Sequence, residues 1–152
     1  MDHRLHDFLR GEGRDGRGRR LSDVLAFDDD GIEGVHDFIQ WLFPSREGSR
    51  AVPGSPVLGE EEAAAIRADP RALEGLRAAA ARMARFYVET DGWLVPFDHN
   101  HLRITRIIAA LRDLLGREEA EAFHAAVAAR NREAGGPVNA DSLRYWARAL
   151  GG

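Results

Sequence analysis

Asp98-His99-Asn100-His101-Leu102-Arg103-Ile104-Thr105-Arg106-Ile107-Ile108 opens the run of sequence that decides the fold. No proline or glycine interrupts it before Gly116. Asp98 is of the residue type that accepts hydrogen bonds from the free N–H groups of a helix's first turn. The run therefore predicts a helix from Asp98 to Leu115. With each residue advanced by about 100°, Ile104, Ile107, Ile108, Leu111, Leu114 and Leu115 fall on one stripe. Leu102, Ala109 and Ala110 fall on the far side, where small side chains let a second helix approach. A helix apolar on two sides is expected at the centre of a helical assembly.

Its first turn carries chemistry as well. Asn100 shares a meridian with Ile104 and Ile107, so its amide points inward and needs partners there. His99, Arg103 and Arg106 follow one another along a single flank, beside the unpaired N–H groups and positive dipole end of the helix, an arrangement that favours an anion. These four residues are candidates for binding a carboxylate or phosphate. The competing expectation is that acidic groups of the same chain occupy the position, since paired charges are mostly structural.

The second informative stretch is Val35-His36-Asp37-Phe38-Ile39-Gln40-Trp41-Leu42-Phe43-Pro44. Ile32, Val35, Phe38, Ile39 and Leu42 make a stripe that Trp41 and Phe43 widen beyond half the circumference. This predicts a deeply buried helix over Gly31 to Phe43, ended by Pro44. His36 and Gln40 share its narrow polar edge, where they either line a pocket or bond within the fold. Together with Trp41 they complete the candidate ligand-binding set.

The rest of the chain reads as helices and turns. Leu5, Phe8 and Leu9 form a short stripe. The Arg/Gly tract from Arg10 to Arg20 contains Glu12 and Asp15 and lacks aromatic residues for bases to stack on, so it reads as a solvated loop rather than an RNA contact. Leu21 to Phe27 gives one or two turns, and Asp28-Asp29-Asp30 reads as the acidic start of the next helix rather than a Ca²⁺ loop. Ser45 to Leu58 is a Gly/Pro-rich connection, and Glu60 to Ile66 a short helix. Asp69-Pro70 starts a long helix whose Leu73, Leu76, Ala80, Met83 and Tyr87 form a seam. Trp93-Leu94-Val95-Pro96-Phe97 is an apolar connector expected to be tucked away. Arg117 to Ala134 and the segment capped by Asn139 supply the last two helices. No segment alternates as a strand does. The expected fold is all-α, a single-domain orthogonal or irregular bundle of about six to eight helices.

Composition narrows the function. The chain has 152 residues, 44% hydrophobic and 30% charged, with a formal net charge of -4 that argues against general nucleic-acid binding. All 21 basic residues are arginine; with the abundant Ala and Gly this reads as a GC-rich, microbial coding sequence. Absence of cysteine removes disulfides and thiolate metal sites. From the polar run Met1 to Arg10 no signal peptide is expected, and no apolar run reaches the ~20 residues that span a bilayer. A cytoplasmic, soluble protein is expected. No nucleophile elbow, phosphate-binding loop or H-E-x-x-H is present, and His99 and His101 diverge on a helix, so neither a catalytic residue, a metal nor a cofactor is expected.

Both informative stretches carry a resemblance. His36-Asp37-Phe38-Ile39-Gln40-Trp41-Leu42-Phe43-Pro44 resembles the HxYIQWLFP signature of the opioid growth factor receptor conserved region. Trp93-Leu94, Pro96 and His99 to Ile107 are similar to that family's second signature, W-L-x-P-x-N-H-N-x-L-R-I-T-R-I-L. Phe8, Arg10, Gly18, Arg19, Leu21, Asp23 and Leu25 resemble its opening segment, and Phe86-Tyr87 its FYG. Phe38, Ser45, Val88 and Asp98 depart from the pattern, standing for tyrosine, leucine, glycine and asparagine. The resemblance implies one helical domain over 1–152 and, in animals, a nucleus-associated receptor for enkephalin-type peptides. For this chain it implies a ligand- or peptide-binding helical module with an anion-favouring site. An enzyme using a His/Arg/Asp site and a structural partner-docking domain are the alternatives. The two signature segments are expected to meet in space.

Overall fold

The computed structural model describes residues 3–48 and 52–151. All regular structure among them is helical, as expected, in nine helices: α1 Arg4–Leu9, α2 Leu21–Leu25, α3 Asp29–Gly34, α4 Ile39–Leu42, α5 Glu60–Arg67, α6 Pro70–Glu89, α7 His99–Leu114, α8 Arg117–Glu133 and α9 Ala140–Ala149. The chain gathers into two compact units, Met1–Ala79 and Ala80–Gly152. None of the described helices is long and apolar enough to cross a membrane.

The helix starts follow local chemistry. Asp98 caps α7 by accepting from the Asn100 N–H, Asp28 caps α3 through Gly31, and Asn139 caps α9 through Ser142. Asp69 accepts from the Arg71 N–H at the start of α6, where Pro70 stands first and has no N–H to satisfy. Asn131 ends α8 differently: its Oδ1 accepts from the Val138 N–H and folds the Gly135-Gly136 turn back on the helix.

In the first unit α1 packs on α4 and α5. Leu5, Phe8, Leu9, Ile32, Phe38, Ile39, Leu42, Phe43 and Ile66 form its core. The single helix expected over Gly31 to Phe43 is broken into α3 and α4. Val35 leaves α3 with φ -96 and ψ 130, an extended conformation. Every residue from 38 to 44 is buried. A continuous helix with a polar edge cannot bury seven successive residues; a single turn set inside the core does. The extra break accounts for the ninth helix.

In the second unit α7 packs against both α8 and α9. Ile104, Ile107, Ile108, Leu111 and Leu114 are buried as the stripe requires. Leu102, expected under a neighbouring helix, is instead 71% exposed. The connector is corrected as well: Trp93 is buried, but Val95, Pro96 and Phe97 face solvent, Phe97 at 82%. One anchoring residue is enough to hold the connector, because its backbone is tied down at both ends by hydrogen bonds.

Candidate functional site

Within the second unit the first turn of α7 is built around Asn100. Its Nδ2 and its backbone N–H both donate to Asp98 Oδ2, at 2.9 and 3.0 Å, and its Oδ1 accepts from the Tyr87 hydroxyl at 3.1 Å. The inward amide predicted from its meridian thus finds its partners inside the fold. Trp93 Nε1 donates to the Tyr87 carbonyl at 3.0 Å, and His101 Nε2 donates to the Trp93 carbonyl at 2.8 Å, which puts the ring proton on Nε2. Trp146 Nε1 donates in turn to the His101 carbonyl at 3.0 Å. The rings of Tyr87, Phe123, Trp93, Trp146 and His101 pack edge-on or tilted around these bonds.

The remaining flank residues differ in access. Arg103 is only 8% exposed. Arg106 is half-buried, and loss of water around its guanidinium brings its pKa down to about 10, so it stays charged at neutral pH. Neither stands without a partner. His99 is exposed, with its Nδ1 3.8 Å from Asp98 Oδ1. Solvent therefore reaches His99 and part of Arg106, while Asn100 and Arg103 lie inside.

Within the first unit the residues around Trp41 are arranged by two carboxylates. The Asp15 side chain is fully enclosed: its Oδ1 accepts from the backbone N–H groups of Arg17 and Arg19, and its Oδ2 from Arg19 Nε at 2.6 Å. Positive φ at Gly11 and Gly18 closes the turns on either side. Arg19 Nη2 also reaches Asp37 Oδ1 at 2.8 Å, and Arg17 Nε reaches Asp37 Oδ2 at 2.8 Å. The tract is the exposed loop expected, with glycines at positive φ, and through the buried Asp15 and Arg19 it also acts as a clamp that holds the segment ahead of α4. This clamp also draws Asp37 out of helical register, so the His36/Gln40 edge does not form. His36 is exposed. Gln40 is 5% exposed, and its Nε2 donates to the His36 carbonyl at 3.3 Å while its Oε1 is buried with no hydrogen-bond partner among the described residues.

Asp37 is the titratable group this geometry perturbs most plainly. Partial burial raises its pKa, but hydrogen bonds from Arg17 and Arg19 and their charges outweigh that and hold it below the ordinary carboxylate value. A depressed folded pKa contributes stability that is present above the unfolded value and lost as pH falls through the folded one. Acid denaturation should therefore steepen below about pH 4. The Asp37→Asn variant should be less stable at neutral pH and show a shallower loss below it, measured by thermal unfolding at a series of pH values.

Beside the clamp lies a cleft of about 200 Å³ lined by Arg4, Gly16, Arg17, Asp37, Trp41, Val52, Pro53, Gly54, Ser55 and Pro56. Trp41 is braced by Phe8, their ring centroids 5.7 Å apart. Arg4 and Arg17 stand on its rim, with Arg17 held by Asp37 and otherwise open to solvent. A Cβ on Gly16 would stand 3.8 Å from the Trp41 ring, so a larger side chain there would fill the cleft without backbone strain. Of the candidate residues read from sequence, Trp41 belongs to this cleft. Asp15, Arg17, Arg4 and Asp37 were missed as a group. The one available signal was Asp15 followed by glycines, an Asx-turn pattern, amid arginines in need of a counter-charge.

Compared with known proteins, the chain matches no family model, no curated protein and no solved structure.

Proposed function

We propose that the protein is a ligand-binding helical module of the opioid growth factor receptor type, taking a carboxylate-bearing ligand, a peptide in the first instance. The observation that carries this reading is the Trp41 cleft: an indole, two prolines and a valine for apolar contact, and the solvent-exposed guanidinium of Arg17 for the anion. A concave site that sets apolar surface beside a few convergent polar groups is a general form of small-ligand pocket. Guanidinium groups are the side chains best shaped for a carboxylate. Asp37 supports binding over catalysis, since both of its oxygens are already held by arginines. At the start of α7, His99 and the exposed part of Arg106 favour ligands of the same charge.

A partner-docking domain is the second reading, favoured by Phe97 and Leu102, which stand exposed at the N′ and N4 positions of α7. One titration separates the two. With ¹⁵N-labelled protein and acetyl-Ala-Phe as the probe, the Gly16 and Gly54 amide signals should shift saturably. Amidating the probe's carboxylate should weaken the effect at least tenfold, and Gly16→Leu should abolish it. Equal response to the amidated probe, or none to either, overturns the proposal; self-association in sedimentation that Phe97→Ser removes would then establish the docking reading.

A further inference from the structure

The tryptophans of the chain differ in how their indole N–H groups are spent. Trp93 Nε1 donates to the Tyr87 carbonyl and Trp146 Nε1 to the His101 carbonyl, each at 3.0 Å. Trp41 Nε1 has no acceptor among the described residues, although the side chain is only 6% exposed. Nor is it one of the atoms sealed inside without a partner. It therefore reaches the open space that Trp41 borders, which is the cleft. Cζ2, on the same edge of the indole and two bonds away, faces Gly16, where a Cβ would stand 3.8 Å from it. A tryptophan N–H so nearly buried ordinarily finds a partner, because it has lost most of its water.

The rest of the lining decides what that partner is. Ser55 spends its N–H and its hydroxyl proton on the Val52 carbonyl, while Pro53 and Pro56 have no N–H. Both oxygens of Asp37 are taken, by Arg17 Nε and Arg19 Nη2. Arg17 uses only Nε in that pair, so its Nη1 and Nη2 have no partner among the described residues while Asp37 holds the guanidinium in place. The side-chain protons left to a ligand thus belong to Trp41 and Arg17. A ligand that meets them brings acceptors, and a ligand N–H finds the carboxylate of the cleft already occupied. At about 200 Å³ the cleft is also smaller than the roughly 300 Å³ at which drug-sized sites begin.

Resting on the proposed function, we infer that the ligand is a compact organic monocarboxylate with an apolar body and no N–H of its own, and that Trp41 binds it through the indole N–H. This keeps the carboxylate of that reading and replaces the peptide. The carboxylate accepts from Trp41 Nε1 and from the outer nitrogens of Arg17, the second a charge-assisted bond. The apolar body lies against Val52, Pro53 and Pro56.

Hydrocinnamate is the probe, titrated into the ¹⁵N-labelled full chain beside its methyl ester and acetyl-Ala-Phe. Trp41→Phe identifies the Trp41 indole signal by its loss. Without ligand, that indole proton should exchange with water faster than those of Trp93 and Trp146. Hydrocinnamate should move it saturably, together with the Gly16 and Gly54 amides, and slow its exchange. The ester should bind about tenfold more weakly, and so should hydrocinnamate to Trp41→Phe, whose unfolding midpoint reports whether the fold is kept. Should that variant unfold, the indole signal decides by itself. An indole signal that stays in place while Gly16 and Gly54 move, or equal binding to Trp41→Phe, overturns the role of Trp41. Tighter binding of acetyl-Ala-Phe than of hydrocinnamate overturns the ligand class and leaves the proposed function standing. Silence of Gly16 and Gly54 toward both acids overturns both.

Discussion

Asn100→Ala is expected to lower the melting temperature by about 10 °C, corresponding to about 3 kcal/mol in a domain of this size. The asparagine side chain closes two contacts at once, accepting from the buried Tyr87 hydroxyl and donating to the capping carboxylate of Asp98. Removing it leaves the hydroxyl inside the unit with its bond to the amide gone and weakens the start of α7. An unmade buried hydrogen bond costs more than the bond itself contributes, because the group has already lost its water. The cycle with Tyr87→Phe identifies the cause: the double variant should lose less than the sum of the two single losses. A loss under about 0.5 kcal/mol in Asn100→Ala, the size of a neutral surface change, would mean that the network is not what holds the helix start.

The second large effect concerns Gly75, inside α6. Replacing a mid-helix glycine with alanine ordinarily stabilises by about 1 kcal/mol through lower chain entropy. At Gly75 the added Cβ would collide with the Leu9 carbonyl oxygen and stand 3.0 Å from Leu21 Cδ2. Backbone at that range cannot swing aside as a side-chain tip would. Gly75→Ala should therefore destabilise by about 2 kcal/mol, the usual consequence of overfilling a packed position. Gly34 is the internal control: a Cβ there meets nothing within 4 Å, and its φ is not in the left-handed region. The same substitution at Gly34 should be neutral or stabilising. Denaturant midpoints of the two variants moving in the same direction would show that close approach of α6 to the end of α1 does not explain the glycine.

The candidate residues were legible to different degrees. Asn100 was readable as an inward polar group because helical periodicity alone puts it beside Ile104 and Ile107. Its partners were not readable: Tyr87 is on another helix, and nothing in the spacing pairs a hydroxyl with an amide 13 residues away. Trp41 was readable as part of a buried apolar stretch, but within a long helix that does not form. The clamp that prevents that helix joins Arg17 and Arg19 to Asp37 across 20 and 18 residues. Local periodicity carries no information at that range. Arg103 shows the converse: its position on a cationic flank suggested access to a ligand, and its packing instead leaves it inside.

Fold class, the α7 stripe and the helix starts at Asp28, Asp69-Pro70, Asp98 and Asn139 were determined by the sequence alone, since each depends on backbone groups within a few residues of the side chain that satisfies them. Tertiary structure decided the rest: the break between α3 and α4, the enclosure of Asp15, the exposure of Phe97 and Leu102, and the cleft over Trp41. Those features depend on which charges and apolar surfaces from remote parts of the chain arrive at the same place. A buried carboxylate takes its hydrogen bonds from whatever donors packing brings to it, so its role emerges only when the chain has closed around it.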